Sequence, residues 1–95
     1  MTTPNQNMKT IAQQINWDFE KKGCFEIRSE NKKLLFYWEN SKGYWVKRKY
    51  DSRGNEIYWE NSEGCWYKSE YDPSHYQIYF ESSFGEIRDN RSKTN

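Results

Sequence analysis

Ninety-five residues make one domain, with no room for a second core. Hydrophobic residues are only 34% of the chain while aromatics alone are 19%, so burial has to come from a few large rings. Lys/Arg and Asp/Glu nearly balance, and the formal net charge of +1 gives no global sign of a nucleic-acid or membrane binder.

The chain opens on "MTTPNQNMKT", too polar for a signal peptide, and no apolar run reaches the length of a membrane span. Met8, Ile11, Ala12, Ile15 and Phe19 then recur at the spacing that lines one face of a helix. With Thr3-Pro4 as its start and Gly23 as its stop, this pattern predicts an amphipathic helix over residues 4–22. Such a helix needs a surface to cover its apolar stripe.

Residues 23–90 read as strand and turn. The segments Tyr44–Tyr50, Glu56–Asn61, Cys65–Tyr71 and Gln77–Ser82 are rich in Tyr, Trp, Ile and Val, and are punctuated by "NSKG", "DSRGN", "NSEG" and "DPSH". The chain repeats itself here every 21 residues: "ENSKGYW" at Glu39 returns as "ENSEGCW" at Glu60, and Tyr50-Asp51 returns as Tyr71-Asp72. A degraded copy precedes the pair (Gly23–Trp38, with "NKKLLFYW" one residue shorter than "DSRGNEIYW"), and a partial copy follows (Phe80–Asp89). Each unit is two strands and two turns that cannot bury their own rings, so stacked units build a continuous aromatic ladder.

The expected fold is therefore α+β: an N-terminal helix packed on an antiparallel meander of about six to seven strands, with 91–95 as a tail. An odd repeat length keeps equivalent residues on one side only if something in each unit absorbs one residue. The expectation is a three-residue turn at Ser52-Arg53-Gly54 alternating with two-residue turns at Lys42-Gly43 and Glu63-Gly64. That register puts Trp38, Trp45, Ile57, Trp59, Trp66, Ile78 and Phe80 on one face, as the bed for the helix. It puts Tyr44, Val46, Tyr50, Tyr58, Cys65, Tyr67, Tyr71 and Tyr79 on the other.

The units "GYWVKRKYDSRGNEIYWENS" and "GCWYKSEYDPSHYQIYFESS" resemble the tyrosine-aspartate hairpin repeats of the RHS type and the Gly-and-aromatic hairpins of MORN-like repeats. The matching positions are Gly43, Tyr50-Asp51, Gly54-Asn55 and Tyr58, then Gly64, Tyr71-Asp72 and Tyr79; the second unit departs where Pro73-Ser74-His75-Tyr76 loses the turn glycine. Short stand-alone proteins of this kind are similar to small phage and prophage proteins, anti-CRISPR-type anti-defence inhibitors among them. The resemblance implies a binding scaffold in the host cytoplasm and carries no catalytic residue across.

Chemistry is sparse. The lone histidine, His75, reads as a surface turn residue, and Cys24 and Cys65 fit no metal spacing and read as free, packed thiols of a cytosolic protein. No phosphate loop, nucleophile elbow or paired-ligand motif is present, so the expectation is no enzyme, no metal and no cofactor. Charge carries more. Residues 24–54 hold eight bases and four acids (+4), whereas residues 55–90 hold two bases and eight acids (−6). A meander lays that order out in space as a basic end and an acidic end.

The expected activity is a non-catalytic inhibitor whose acidic, tyrosine-rich end occludes the basic groove of a nucleic-acid-processing defence complex. Its partner-binding residues are Tyr58, Glu60, Tyr67, Glu70, Tyr79 and Glu81. Direct nucleic-acid binding is not expected, and self-association through the sheet edges is an alternative use of the charge gradient. The other reading is a carbohydrate-binding or structural repeat module acting through the tyrosine ladder.

Overall fold

The turns decide this architecture. In the computed structural model, which describes residues 9–91, every hairpin from Leu35 onward closes with the same chemistry. Asp51 Oδ1 accepts from Arg53 N and Asn55 N, both at 2.9 Å, and Gly54 N returns to Asp51 O at 3.0 Å. Asn40, Asn61 and Asp72 repeat this pair of bonds, and Ser82 Oγ supplies a single equivalent to Phe84 N. Each loop is thus three residues long, ending on a left-handed residue: Gly54 at φ 89° and, where the glycine is lost, His75 at φ 70°.

Among the described residues seven strands result, paired in chain order and all antiparallel. They are β1 (Phe25–Arg28), β2 (Leu35–Glu39), β3 (Trp45–Tyr50), β4 (Glu56–Asn61), β5 (Trp66–Tyr71), β6 (Gln77–Ser82) and β7 (Ile87–Asp89). The alternation of two- and three-residue turns is therefore corrected. Since the turns are alike, the odd residue is absorbed by a bulge. Lys49 pairs with Tyr58 but Tyr50 with Glu56, which leaves Ile57 extra; Glu70–Tyr79 and Tyr71–Gln77 leave Ile78 extra in the same way. The first copy also carries a longer turn, closed by Ser29 N to Leu34 O.

One residue more in the turn flips the flanking strand, because side chains alternate with period two. Glu39 faces Trp45, and Trp38 faces Val46. Trp45 and Trp66 accordingly join Tyr37, Glu39, Lys47, Tyr58, Glu60, Lys68, Tyr79 and Glu81 on a front face. Trp38, Trp59 and Phe80 join Val46 and Tyr67 on the back. The expected Trp/Ile and Tyr faces are thus each split between the two sides.

Neighbouring units are clamped by serine. Ser62 N donates to Trp45 O at 3.0 Å while Trp45 N donates to Ser62 Oγ at 3.2 Å; Ser83 and Trp66 repeat the exchange at 2.8 and 3.0 Å.

The expected long helix packed on the sheet does not form. Among the described residues two single turns stand in its place, α1 (Ile11–Gln14) and α2 (Phe19–Lys22), and the rest is essentially a seven-stranded meander, so the α+β reading is overturned. The cause is local. Asn16 enters the left-handed region at φ 55°, a conformation asparagine tolerates, and Asp18 then caps a new helix by accepting from Lys21 N at 3.1 Å. Gly23, at φ 76°, ends α2 as the sequence suggests. The expected start at Pro4 and the contribution of Met8 lie outside the described residues, as do residues 92–95 of the expected tail.

Of the apolar stripe, Ala12 is buried but Ile11 and Ile15 are exposed. Ala12 packs with Phe25 and Tyr37 on the front face, joined by Trp17, Phe19 and Trp45. This cluster spans β1 to β3 only. The chain is consequently thin, 54 × 40 × 17 Å, with a radius of gyration of 16.8 Å. A compact globule of this length has about 12 Å.

Candidate functional site

The front face carries one constellation twice in full and a third time in part. In the first unit the Tyr37 hydroxyl donates to Glu39 Oε1 at 2.9 Å, Trp45 pairs across from Glu39, and Lys47 Nζ lies 4.9 Å from the Trp45 ring centre. In the second, Tyr58 donates to Glu60 Oε1 at 3.3 Å, Trp66 pairs across from Glu60, and Lys68 Nζ lies 5.3 Å from the Trp66 ring. The bulge at Ile57 keeps the two sets in phase on one side. In the third unit the pair survives, with Tyr79 donating to Glu81 Oε1 at 2.9 Å. Ile87 and Asp89, however, stand where tryptophan and lysine stood.

The units differ in what covers them. Glu39 is 1% exposed, beneath the N-terminal segment, and its carboxylate also accepts from the Thr10 hydroxyl at 2.5 Å and from Ala12 N at 3.2 Å. Burial, then the bond to Glu39, pushes the Tyr37 hydroxyl well above the ordinary tyrosine range. Glu60 and Glu81 are half-buried. Tyr58 is raised by its own burial and by Glu60, and Tyr79 chiefly by its bond to Glu81.

Five of the six expected partner-binding residues meet here: Tyr58, Glu60, Glu70, Tyr79 and Glu81 share the front face. Tyr67 does not. It lies on the back, its ring stacked on Trp59 at 5.4 Å and 10° and tilted against Phe80 at 5.8 Å. Its hydroxyl donates to Glu56 Oε1 at 3.2 Å, while Glu56 Oε2 sits 3.7 Å from Arg48 Nε. Burial first, and Glu56 next, push it up to about 12.

The acidic end is also less bare than the count over 55–90 suggests. Arg91, the next residue on, lies over the Tyr79 ring at 4.0 Å and reaches Asp89 at 2.8 Å and Glu70 at 3.3 Å. Reading from the sequence missed Arg91, and it missed Trp66 and Lys68 as members of the site. The period itself was the available signal, since Trp45/Trp66 and Lys47/Lys68 keep the same 21-residue offset as Glu39/Glu60.

His75 is exposed, with Nδ1 at 3.0 Å from Asn55 Oδ1. Both cysteines are free; Cys65 is half-buried, but Cys24 is exposed and not packed as expected. Among the described residues no group of three or more His, Cys, Asp and Glu is placed to hold a metal ion, and no helix is long and apolar enough to cross a membrane. Comparison with protein-family models, curated proteins and solved structures gave no match.

Proposed function

We propose that this chain is a non-catalytic protein-binding inhibitor that docks through the open part of its front face, over β4 to β7. The observation that carries the reading is the repeated tyrosine–glutamate pair. Tyr58 and Tyr79 each hold the carboxylate two residues on, so Glu60 and Glu81 stand pre-positioned on a face that the two helices leave uncovered. Tyrosine supplies large contact area with a polar tip, and ordered carboxylates beside it complement a basic partner. A target groove that ordinarily holds nucleic acid fits both features, as does the likeness to small anti-defence proteins of phages.

Affinity capture on immobilised protein tests this directly. A partner retained by the parent chain should be released by duplex DNA added as a competing polyanion, and should not be retained by the Glu60→Lys/Glu81→Lys variant. Retention by the folded double variant equal to the parent overturns the assignment of the face. Failure of DNA to compete overturns the groove.

A further inference from the structure

The first repeat unit already displays what such a unit binds, because part of the same chain sits on it. Its occupant is the start of α1. Thr10 caps that helix in a capping box: its Oγ1 accepts from Gln13 N at 3.1 Å, and Gln13 Oε1 accepts from Thr10 N at 3.0 Å. Among the donors the helix cannot satisfy, the Thr10 hydroxyl proton and the Ala12 N–H are both given to Glu39. Ala12, small enough to lie flat, is buried with Phe25 and Tyr37.

The second unit reproduces the polar receiving groups and the tryptophan, while Lys47 pairs across from Glu60 where Phe25 pairs across from Glu39. It has the same tyrosine–glutamate pair, the same tryptophan across from the glutamate and the same lysine over that ring. Next to it, a depression of about 370 Å³ is bordered by Ile11, Lys47, Tyr58 and Glu60. The third unit is a poorer match, having lost tryptophan and lysine and lying under Arg91.

We infer that Tyr58, Glu60, Trp66 and Lys68 form a receptor for the same element presented by a partner protein. That element is a helix start with Ser or Thr at the cap and Ala or Gly two residues on. Glu60 takes the hydroxyl and the free backbone N–H, and the small residue seats against the rings. This deepens the protein-binding reading above and rests on it. Unit one stays closed to an added ligand because its own segment is tethered, at an effective concentration in the millimolar range for a short linker.

A synthetic peptide of residues 9–22 is the probe, titrated into the isotope-labelled full-length chain and followed by residue-resolved NMR. Saturable shifts at Tyr58, Glu60, Trp66 and Lys68 are expected. The affinity should fall about tenfold or more with Glu60→Gln, or with Thr10→Val in the peptide, because each removes a charge-assisted hydrogen bond. Three results overturn the inference: no shifts at the second unit, shifts confined to Tyr37 and Glu39, or an affinity indifferent to both substitutions. Shifts at the second unit that grow with protein concentration in the absence of peptide make a second copy of this chain the occupant, and overturn the partner assignment. If the peptide fails while capture still depends on Glu60 and Glu81, only the helix-start chemistry falls and the binding face stands.

Discussion

Glu39 accepts the backbone N–H of Ala12 at 3.2 Å across 27 residues of sequence, and this bond ties the N-terminal segment to the sheet. Together with the Thr10 and Tyr37 hydroxyls it gives a carboxylate only 1% exposed three donors. Glu39→Gln removes the charge and leaves a single amide oxygen to accept from these three donors. It should cost about 1.5–3 kcal/mol in urea unfolding, the range for hydrogen bonds to a charged group. Glu60→Gln, at the matching place in the open unit, should change stability by no more than about 0.5 kcal/mol. Equal costs at the two sites would show that Glu39 is not specially satisfied.

The helical segment makes an unequal prediction along its apolar stripe. Ile15 is 53% exposed and Ala12 1% exposed. Ile15→Asp should leave melting within about 0.5 kcal/mol of the parent. Ala12→Leu has to force extra methylenes between Phe25 and Tyr37, and should cost about 1–3 kcal/mol with a red shift of Trp17 emission. An inert Ala12→Leu would detach the segment from the face.

His75 fills the left-handed turn position that glycine holds in the other hairpins after β2. A side chain there costs about 1–2 kcal/mol, offset in part by the contact of Nδ1 with Asn55. His75→Gly should therefore stabilise the chain by about 1 kcal/mol, raising the melting temperature by about 4–8 °C. An unchanged or lower melting temperature would mean that the Asn55 contact outweighs the backbone term.

Alkaline unfolding follows from Tyr67. Free tyrosine titrates near about 10, and burial with Glu56 holds Tyr67 at about 12 in the fold. A folded pKa above the unfolded one gives stability that is complete below about pH 10 and is lost as pH rises through about 12. Tyr67→Phe should flatten the alkaline fall in melting temperature over that window, while Tyr79→Phe, at a more open site, should flatten it less. Parallel curves for parent and Tyr67→Phe would overturn the assignment.

Strand positions were legible because the repeat is written in residue types: the Asn/Asp that opens the turn and the Gly that ends it fix three hairpins within a residue or two. Facing was not. Whether Lys42-Gly43 alone or Ser41-Lys42-Gly43 forms the loop depends on Asn40 Oδ1 reaching Tyr44 N at 3.1 Å, and one residue there moves Trp45 to the opposite side of the sheet from Trp38. The bulge at Ile57 is invisible to composition, since an isoleucine fits a regular strand equally well. The helix failed for a related reason. Met8 to Phe19 has the right spacing, yet Asn16 turns left-handed and Asp18 caps a new helix with its side chain, alternatives that spacing does not register. Tyr67 was placed on the wrong face with the facing, whereas Tyr58, Glu60, Tyr79 and Glu81 were rightly placed together because their 21-residue offset does not depend on it.

The serine clamps join each unit only to its neighbour, Ser62 to Trp45 and Ser83 to Trp66. A scaffold bonded in this way has no fixed length, because its stability adds up link by link. Gene-level duplication of residues 40–60 would insert one more period at a matched seam, after Glu60 and before Asn61. The new segment would meet the same clamp on both sides, lengthen the ribbon by a further hairpin and add another Tyr-Glu-Trp-Lys unit in phase with the second. Shortening by one period would remove the open unit and keep the one that anchors the N-terminus. The number of Tyr-Glu-Trp-Lys units is thus a heritable quantity, set by how many times a 21-residue word is copied.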